Sequence, residues 1–347
     1  MVNALCNEIA AQKDYLQGAK LQTIYFGGGT PSLLNAGELD LIFNTIRSYH
    51  SIANDAEITL EANPEDLTPT YCEMIASKGI NRLSIGIQSF QEKNLVLMNR
   101  NHQTSDSIQA IQNAQKAGIT NISIDLIYGI PGNSEADLAE DLEKATSLGV
   151  QHISAYSLTV EPKTVFGHQK KQGTFREVSE THMATCFEHT HALLEKHGFE
   201  AYETSNFAKE GHYSVHNTSY WQQEPYLGVG PSAHSFNGHS RQWNVANNAL
   251  YLKAIHQNQL PSEKEILSTA DRYNEYIMTG LRTIWGVSLD RIETEFGPKY
   301  LEYLNQQSAK YIEDHLLFVD DNILRTTKSG KFLGDGIASD LFLLNLE

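Results

Sequence analysis

The sequence predicts an α/β protein: a parallel sheet curled into a complete or partial barrel with helices outside, followed by a small α+β module. Three observations carry this expectation. Gly79-Ile80-Asn81-Arg82-Leu83-Ser84-Ile85-Gly86, Gly118-Ile119-Thr120-Asn121-Ile122-Ser123-Ile124-Asp125 and Gly149-Val150-Gln151-His152-Ile153-Ser154-Ala155-Tyr156 line up without a gap, each a glycine helix stop followed by a strand. Strands alternating with single helices give right-handed βαβ units and therefore a parallel sheet. The pleat then separates a barrel from an open sheet. Leu83, Ile85, Ile122, Ile124 and Ile153 share one face, whereas Ser84, Gly86, Gln88, Ser123, Asp125, Ser154 and Tyr156 share the other. A doubly wound sheet is covered on both sides and should be apolar on both, so one polar face points to a barrel with a wet or ligand-filled lumen.

Taken in order, Val2, Leu5, Ile9 and Leu16 put a helix over residues 2 to 16. Such a helix normally packs on a strand that came before it, so this start is the first sign of an N-terminal piece lying outside the sequence. Ile24 and Phe26 alternate with Thr23 and Tyr25 as in a half-buried strand, which runs into Gly27-Gly28-Gly29. Asn35 caps a helix with the stripe Leu39, Ile42, Phe43 and Ile46. Residues 57 to 63 form a strand stopped by Pro64, and Thr68-Pro69 opens a helix that Gly79 closes. Thr104 and Ser134 cap the helices carrying Ile108, Ile111, Leu138 and Leu142. After the helix with Met183, Phe187 and Leu194, Gly198-Phe199-Glu200-Ala201-Tyr202 reads as a weaker fourth copy of the repeat. Residues 1–250 form the barrel region and 265–347 a separate C-terminal domain. There, helical stripes through Tyr276, Leu281, Ile284, Leu289, Ile292 and Phe296 precede Leu317-Phe318-Val319 and Ile323-Leu324-Arg325, joined by a tight polar turn, as in a winged-helix-like module.

Composition narrows the function. The 347 residues carry a formal net charge of -16, which argues against the broad basic face nucleic acid requires. Glu313, Asp314, Asp320 and Asp321 extend that argument to the winged module. Cys6, Cys72 and Cys186 are isolated, giving neither a disulfide framework nor a zinc knuckle and pointing to a reducing cytoplasm. No signal peptide and no membrane-spanning apolar run is readable.

The chemistry-bearing residues gather at one rim. Glu61 shares a pleat face with Thr59 and Asn63, opposite Ile58 and Leu60, so Glu61, Gln88 and Asp125 all project inwards near the C-terminal ends of their strands. That rim is where parallel α/β folds bind ligands. Each residue alone could anchor a loop; three on successive strands beside a glycine turn point to a site. The glycine spacing matches neither GxGxxG nor GxxxxGK[ST], so no nucleotide phosphate site is implied.

Gly27-Gly28-Gly29-Thr30-Pro31-Ser32, Glu61-Ala62-Asn63-Pro64, Ser84-Ile85-Gly86-Ile87-Gln88-Ser89-Phe90, Asn99-Arg100-Asn101-His102 and Asp125-Leu126-Ile127-Tyr128-Gly129-Ile130-Pro131 together resemble the radical S-adenosylmethionine superfamily. Within it they resemble the branch of oxygen-independent coproporphyrinogen III oxidase and the HemW-type heme chaperones, over a series running to about residue 245. The resemblance implies a partial (β/α)6 barrel lacking its first strand here, with Gly28, Gly29 and Thr30 holding the methionyl end of S-adenosylmethionine. Glu61, Gln88, Arg100 and Asp125 would complete that shell. A guanidinium can neutralise the methionyl carboxylate, and Asp125 suits ribose hydroxyls. The family also holds a 4Fe-4S cluster through a CxxxCxxC loop, and no such triplet occurs in this sequence. As written, the chain is therefore expected to lack radical activity, and a lost N-terminal segment is suspected. No catalytic residue is assigned.

His216-Asn217-Thr218-Ser219-Tyr220-Trp221 resembles the HNxxYW motif of the chaperone branch, which makes His216 a candidate heme-iron ligand, with Tyr220 and Trp221 against a porphyrin face. His234, beside Gly228 and Gly230, reads as a loop-anchoring residue. The resemblance implies heme and client hemoproteins as partners, respiratory ones among the candidates. HNTSYW favours the chaperone over the rival reading, an oxygen-independent coproporphyrinogen III oxidase.

Overall fold

The computed structural model of the protein describes residues 1–344. The chain divides into two compact units, one of residues 25–34 and 57–214, the other of residues 1–24, 35–56 and 215 onward.

A seven-stranded sheet has the order β1-β2-β3-β4-β5-β7-β6, with β1 Leu21–Phe26, β2 Ile52–Ala62, β3 Arg82–Gln88, β4 Asn121–Tyr128, β5 His152–Ser157, β6 Glu200–Ala201 and β7 Asn206–Ala208. From β2 to β5 every pairing is parallel, as the repeat requires. Register rows explain the two-faced pleat. Ala62, Ile85, Ile124 and Ile153 stand side by side and buried, while Glu61, Ser84, Ser123 and His152 form the adjacent row on the opposite face. Helices between the strands start where the caps predict: Asn35 and Ser134 each close a capping box, and Thr68 accepts from Tyr71 N. Thr104 differs by one position. Gln103 is the N-cap in a box with Asp106, and the Thr104 hydroxyl instead donates to Phe90 O at 3.1 Å.

The polar face is not a void throughout. His152 is fully buried, with Nδ1 2.7 Å from Ser123 Oγ and Nε2 2.7 Å from Tyr202 OH, and Arg82 lies 3.7 Å from Glu57. Burial first, then the Arg82 charge, drives the His152 pKa far down, so the imidazole stays neutral. These side chains fill part of the polar face.

The fourth repeat copy does not form a parallel strand. β6 is only two residues long and pairs antiparallel with β7, which itself runs antiparallel to β5. Buried Glu203 accepts from Ser205 N at 3.0 Å and Asn206 Nδ2 at 2.6 Å, closing a turn that reverses the chain before a strand can extend.

In the other unit the first helix, Val2–Ala11, is shorter than its apolar pattern suggests and buries an acid. Glu8 is fully buried: Oε1 accepts from Gln12 Nε2 at 2.9 Å and Asn244 Nδ2 at 2.6 Å, and Oε2 from Gly230 N at 2.8 Å and Tyr251 OH at 2.5 Å. A three-stranded antiparallel sheet follows, β8 His234–Phe236, β9 Ser240–Asn244 and β10 Ser262–Ile266, in the order β10-β9-β8. The C-terminal part has its own core, centred on Tyr273, Ile277, Leu281, Ile292, Leu304 and Leu324. Its small sheet has the order β11-β13-β12, with β11 Val287–Ser288, β12 Leu317–Asp320 and β13 Ile323–Thr326. Asp321 at φ 47° and Asn322 at φ 60° make the two-residue turn that matches the twist of a hairpin, and helices Thr269–Leu281 and Pro298–Glu313 precede it. Among the described residues no helix is long and apolar enough to cross a membrane.

Candidate cofactor site

The rim is built from the ends of β1 to β4. After β1 the chain bends through Gly28 at φ 69° and Gly29 at φ 85°, and a Cβ at either would meet nothing within 4 Å. These backbones face open space, where a ligand can lie on them. Gly27 is the opposite case: a Cβ there would stand 2.7 Å from Tyr25 Cε1 and 2.9 Å from Glu61 Oε1. Its bareness lets Glu61 reach the loop. Tyr25 OH donates to Glu61 Oε1 at 2.8 Å and Gly28 N to Glu61 Oε2 at 3.2 Å, while Ser32 Oγ ties the far side of the turn to Asp66 at 2.6 Å. Thr30 precedes a short 3-10 turn and caps nothing with its side chain.

Gln88 ends β3 at φ 70°, where the β3–β4 register shifts. A non-glycine residue held there is strained, which redirects its amide. Arg100 reaches back over Gly86, donating from Nη2 to Gly86 O at 2.9 Å and Asn63 Oδ1 at 3.3 Å. A Cβ on Gly86 would come within 3.1 Å of that guanidinium nitrogen. The loop is clamped by buried His102, whose Nε2 lies 3.1 Å from Ile87 O and whose Nδ1 lies 3.4 Å from Glu65. The segment Asn99-Arg100-Asn101-His102 gives no local sign of this holding role, because Ile87 and Glu65 lie on other elements.

Asp125 pairs in register with Ser154, whose hydroxyl donates to Asn206 Oδ1 at 3.0 Å. Burial lifts the Asp125 carboxyl from 3.8 to about 6; the Glu61 charge adds to the rise, while the neighbouring Ser154 hydroxyl and the Arg82 and Arg100 charges oppose it. Because the folded value is the higher one, its contribution to stability is present below pH 3.8 and is lost as pH rises to about 6. The structure thus brings Gly28 and Glu61 into direct contact, sets Gln88 and Arg100 around Gly86, and couples Asp125 to Glu61 and Arg100 through their charges.

A glycine bend open to a ligand, a cation and two acids fit the polar groups of S-adenosylmethionine. The cysteines do not fit an iron–sulfur cluster. Cys6, Cys72 and Cys186 are free and buried on three different helices, and burial pushes the Cys72 thiol up to about 11 and the Cys186 thiol upward, away from the thiolate a cluster needs. Among the described residues no three His, Cys, Asp or Glu side chains are grouped to hold a metal.

His216 lies on the helix Val215–Trp221 with both ring nitrogens engaged: Thr23 Oγ1 is 2.8 Å from Nδ1 and Tyr220 OH 2.9 Å from Nε2. Trp221 lies under the Arg282 guanidinium, 5.3 Å from the ring centroid, and Arg291 donates to Gln223 at 3.2 Å. His234 does not anchor its loop. Its side chain is exposed, and the neighbouring Ser235 hydroxyl accepts from Gly228 N at 3.0 Å.

Comparison with known proteins decides the family. Residues 5–145 match the radical SAM superfamily model and residues 267–333 the HemN C-terminal domain. The heme chaperone HemW of Lactococcus lactis is 34% identical over 328 residues, covering 93% of this chain and 85% of the relative. The chain belongs to the HemW family. The heme chaperone HemW of Bacillus subtilis is likewise 34% identical, over 91% of this chain and 84% of its own length. The fold of this HemW-family chain is that of the Escherichia coli coproporphyrinogen III oxidase HemN, a radical SAM enzyme, with a TM-score of 0.83 and 22% identity over 98% of this chain and 82% of that one. The partial-barrel α/β class read from the repeats, with a separate C-terminal module, is therefore the family's fold.

Proposed function

We propose that this chain is a cytoplasmic heme chaperone that binds heme and S-adenosylmethionine and delivers heme to client hemoproteins. The observation that carries it is the setting of the His216 ring. An imidazole that ligates a metal usually has its other nitrogen hydrogen-bonded, which fixes the tautomer and the ring's direction. Thr23 Oγ1 stands 2.8 Å from Nδ1, and we assign the ring proton to Nδ1, donated to that oxygen. Burial and the neighbouring Tyr226 push the Tyr220 phenol up to about 12, so it stays protonated and donates to Nε2. Nε2 is then the nitrogen with the lone pair, protected by a hydroxyl that iron must displace. The family membership and the HNTSYW segment support the same reading; likeness to the oxidase rests on fold alone.

Hemin titration followed by its Soret band tests this. His216→Ala is expected to remove an imidazole-ligated equivalent, and Tyr220→Phe to tighten that equivalent about fivefold, since one hydrogen bond of about 1 kcal/mol no longer competes with iron. An unchanged spectrum in His216→Ala would remove this residue from the proposal. For the cofactor, Asp125 is assigned the ribose hydroxyls as an acceptor. S-adenosylmethionine affinity should then fall by up to about tenfold per pH unit below the Asp125 value of about 6, and Asp125→Asn should flatten that profile in calorimetry.

A further inference from the structure

Gln88 is held in a conformation that its own strand does not explain. Ser89 N donates to Ile87 O at 2.9 Å across Gln88 at φ 70°, a three-residue γ-turn of the rare, strained form. The turn closes a bulge: β3 takes three steps from Ile85 to Gln88 where β4 takes two from Ile124 to Leu126. Its effect is to throw the Gln88 amide back over Gly86. A Cβ on Gly86 would stand 3.0 Å from Gln88 Nε2 and 3.1 Å from Arg100 Nη2, so the amide and the guanidinium approach the same bare stretch of backbone. Among the described residues the Gln88 amide has no hydrogen-bond partner of its own.

A strained turn persists only where its surroundings over-determine it. One anchor of this turn belongs to a helix far along the chain. Asp141, on the helix Glu135–Ser147 and 3% exposed, accepts from Ser89 Oγ through Oδ2 at 2.6 Å and from Phe90 N through Oδ1 at 2.8 Å. Ser89 Oγ in turn accepts from Gln91 N at 3.1 Å and from Asn94 Nδ2 at 2.9 Å. The hydroxyl thereby uses its one proton and both lone pairs. One carboxyl group thus fixes the two residues that follow Gln88, while His102 lies against Ile87 O on the other side. Asp141 and Ser89 are both buried, so whatever they do for a ligand they do through Gln88.

We propose that Asp141 is a positioning residue for S-adenosylmethionine, holding the Gln88 amide beside Arg100 so that both donate to the methionyl carboxylate. A carboxylate accepts at two oxygens, and an amide N–H next to a guanidinium supplies both a neutral and a charged donor. The inference rests on the S-adenosylmethionine reading and deepens it: Gln88 gains a partner group on the cofactor, and its strained turn gains a purpose.

Calorimetry with S-adenosylmethionine on the full chain tests this through a cycle of Asp141→Ala, Gln88→Gly and the double variant beside the parent. Asp141→Ala should weaken binding about tenfold, the worth of one hydrogen bond to a charged group. Gln88→Gly should lose as much, because it deletes the amide, yet without a lower melting temperature, because glycine adopts φ 70° unstrained. The double variant should bind no more weakly than Gln88→Gly alone. Losses that multiply instead would mean that Asp141 acts independently of Gln88, and the inference falls. It also falls, with the cofactor reading intact, if Asp141→Ala binds as the parent does. Ser89→Ala is the milder variant should Asp141→Ala fail to fold: it keeps Phe90 N on Asp141, and its smaller loss should likewise vanish in the Gln88→Gly background. A parent that binds no S-adenosylmethionine overturns the cofactor reading itself and this inference with it.

Discussion

Glu8→Leu is expected to lower the unfolding free energy by about 3–5 kcal/mol, read as a fall in the urea midpoint at unchanged slope. The size follows from what is left behind. Leucine fills much of the space but accepts nothing, so Gly230 N–H, Tyr251 OH and one N–H of Asn244 Nδ2, whose other N–H keeps Gly230 O at 2.9 Å, would lose their acceptor in a buried setting. Tyr251 shows the strength of that contact: burial and the Glu8 hydrogen bond both push its phenol pKa upward. Glu8→Gln keeps the shape but replaces one acceptor oxygen with a donor that faces other donors, and should cost less than Leu. A midpoint unmoved in Glu8→Leu would mean that the network contributes nothing to the fold.

Arg100→Ala should weaken S-adenosylmethionine binding about 10- to 100-fold while moving the melting temperature little. A hydrogen bond involving a charged group contributes on the order of 1.5–3 kcal/mol, which sets that range. Arg100 is half-buried and its described hydrogen bonds go to Gly86 O and Asn63, so removal leaves no buried charge unpaired. Arg100→Lys should recover part of the affinity, because the charge returns without the planar fork of donors. Calorimetry with the intact cofactor checks both variants, and equal affinity in parent and Ala variant would remove Arg100 from the proposed site.

Much of this was legible in the sequence, because the information is local. The repeat fixes its own strands: a glycine stop, alternation with period two, and apolar residues on one parity force Leu83, Ile85, Ile122 and Ile124 to the same buried side. The parity of Glu61 and Asp125 likewise follows from two or three neighbours. What escaped depends on contacts far along the chain. The apolar stripe of the first helix gives no warning that Glu8 is buried, since its partners Gly230, Asn244 and Tyr251 lie more than two hundred positions on. Gly198-Phe199-Glu200-Ala201-Tyr202 has the pattern of a fourth repeat, but the acid that bends it back, Glu203, acts through Asn206 beyond the motif. The glycines near His234 suggest a loop anchor, but the structure leaves its side chain exposed. The one signal that could have corrected this is the alternation from His234 to Phe236, which makes it the outward end of a strand.

The helix Val215–Trp221 is about two turns long and has no fully buried side chain, too little to persist by its own hydrogen bonds. Arg282 on Trp221 and Arg291 on Gln223 brace it from the HemN-type module. The seat of the helix that carries His216 thus depends on side chains encoded far downstream, so a change at Arg282 or Arg291 would loosen the helix without touching the ring's own partners Thr23 and Tyr220.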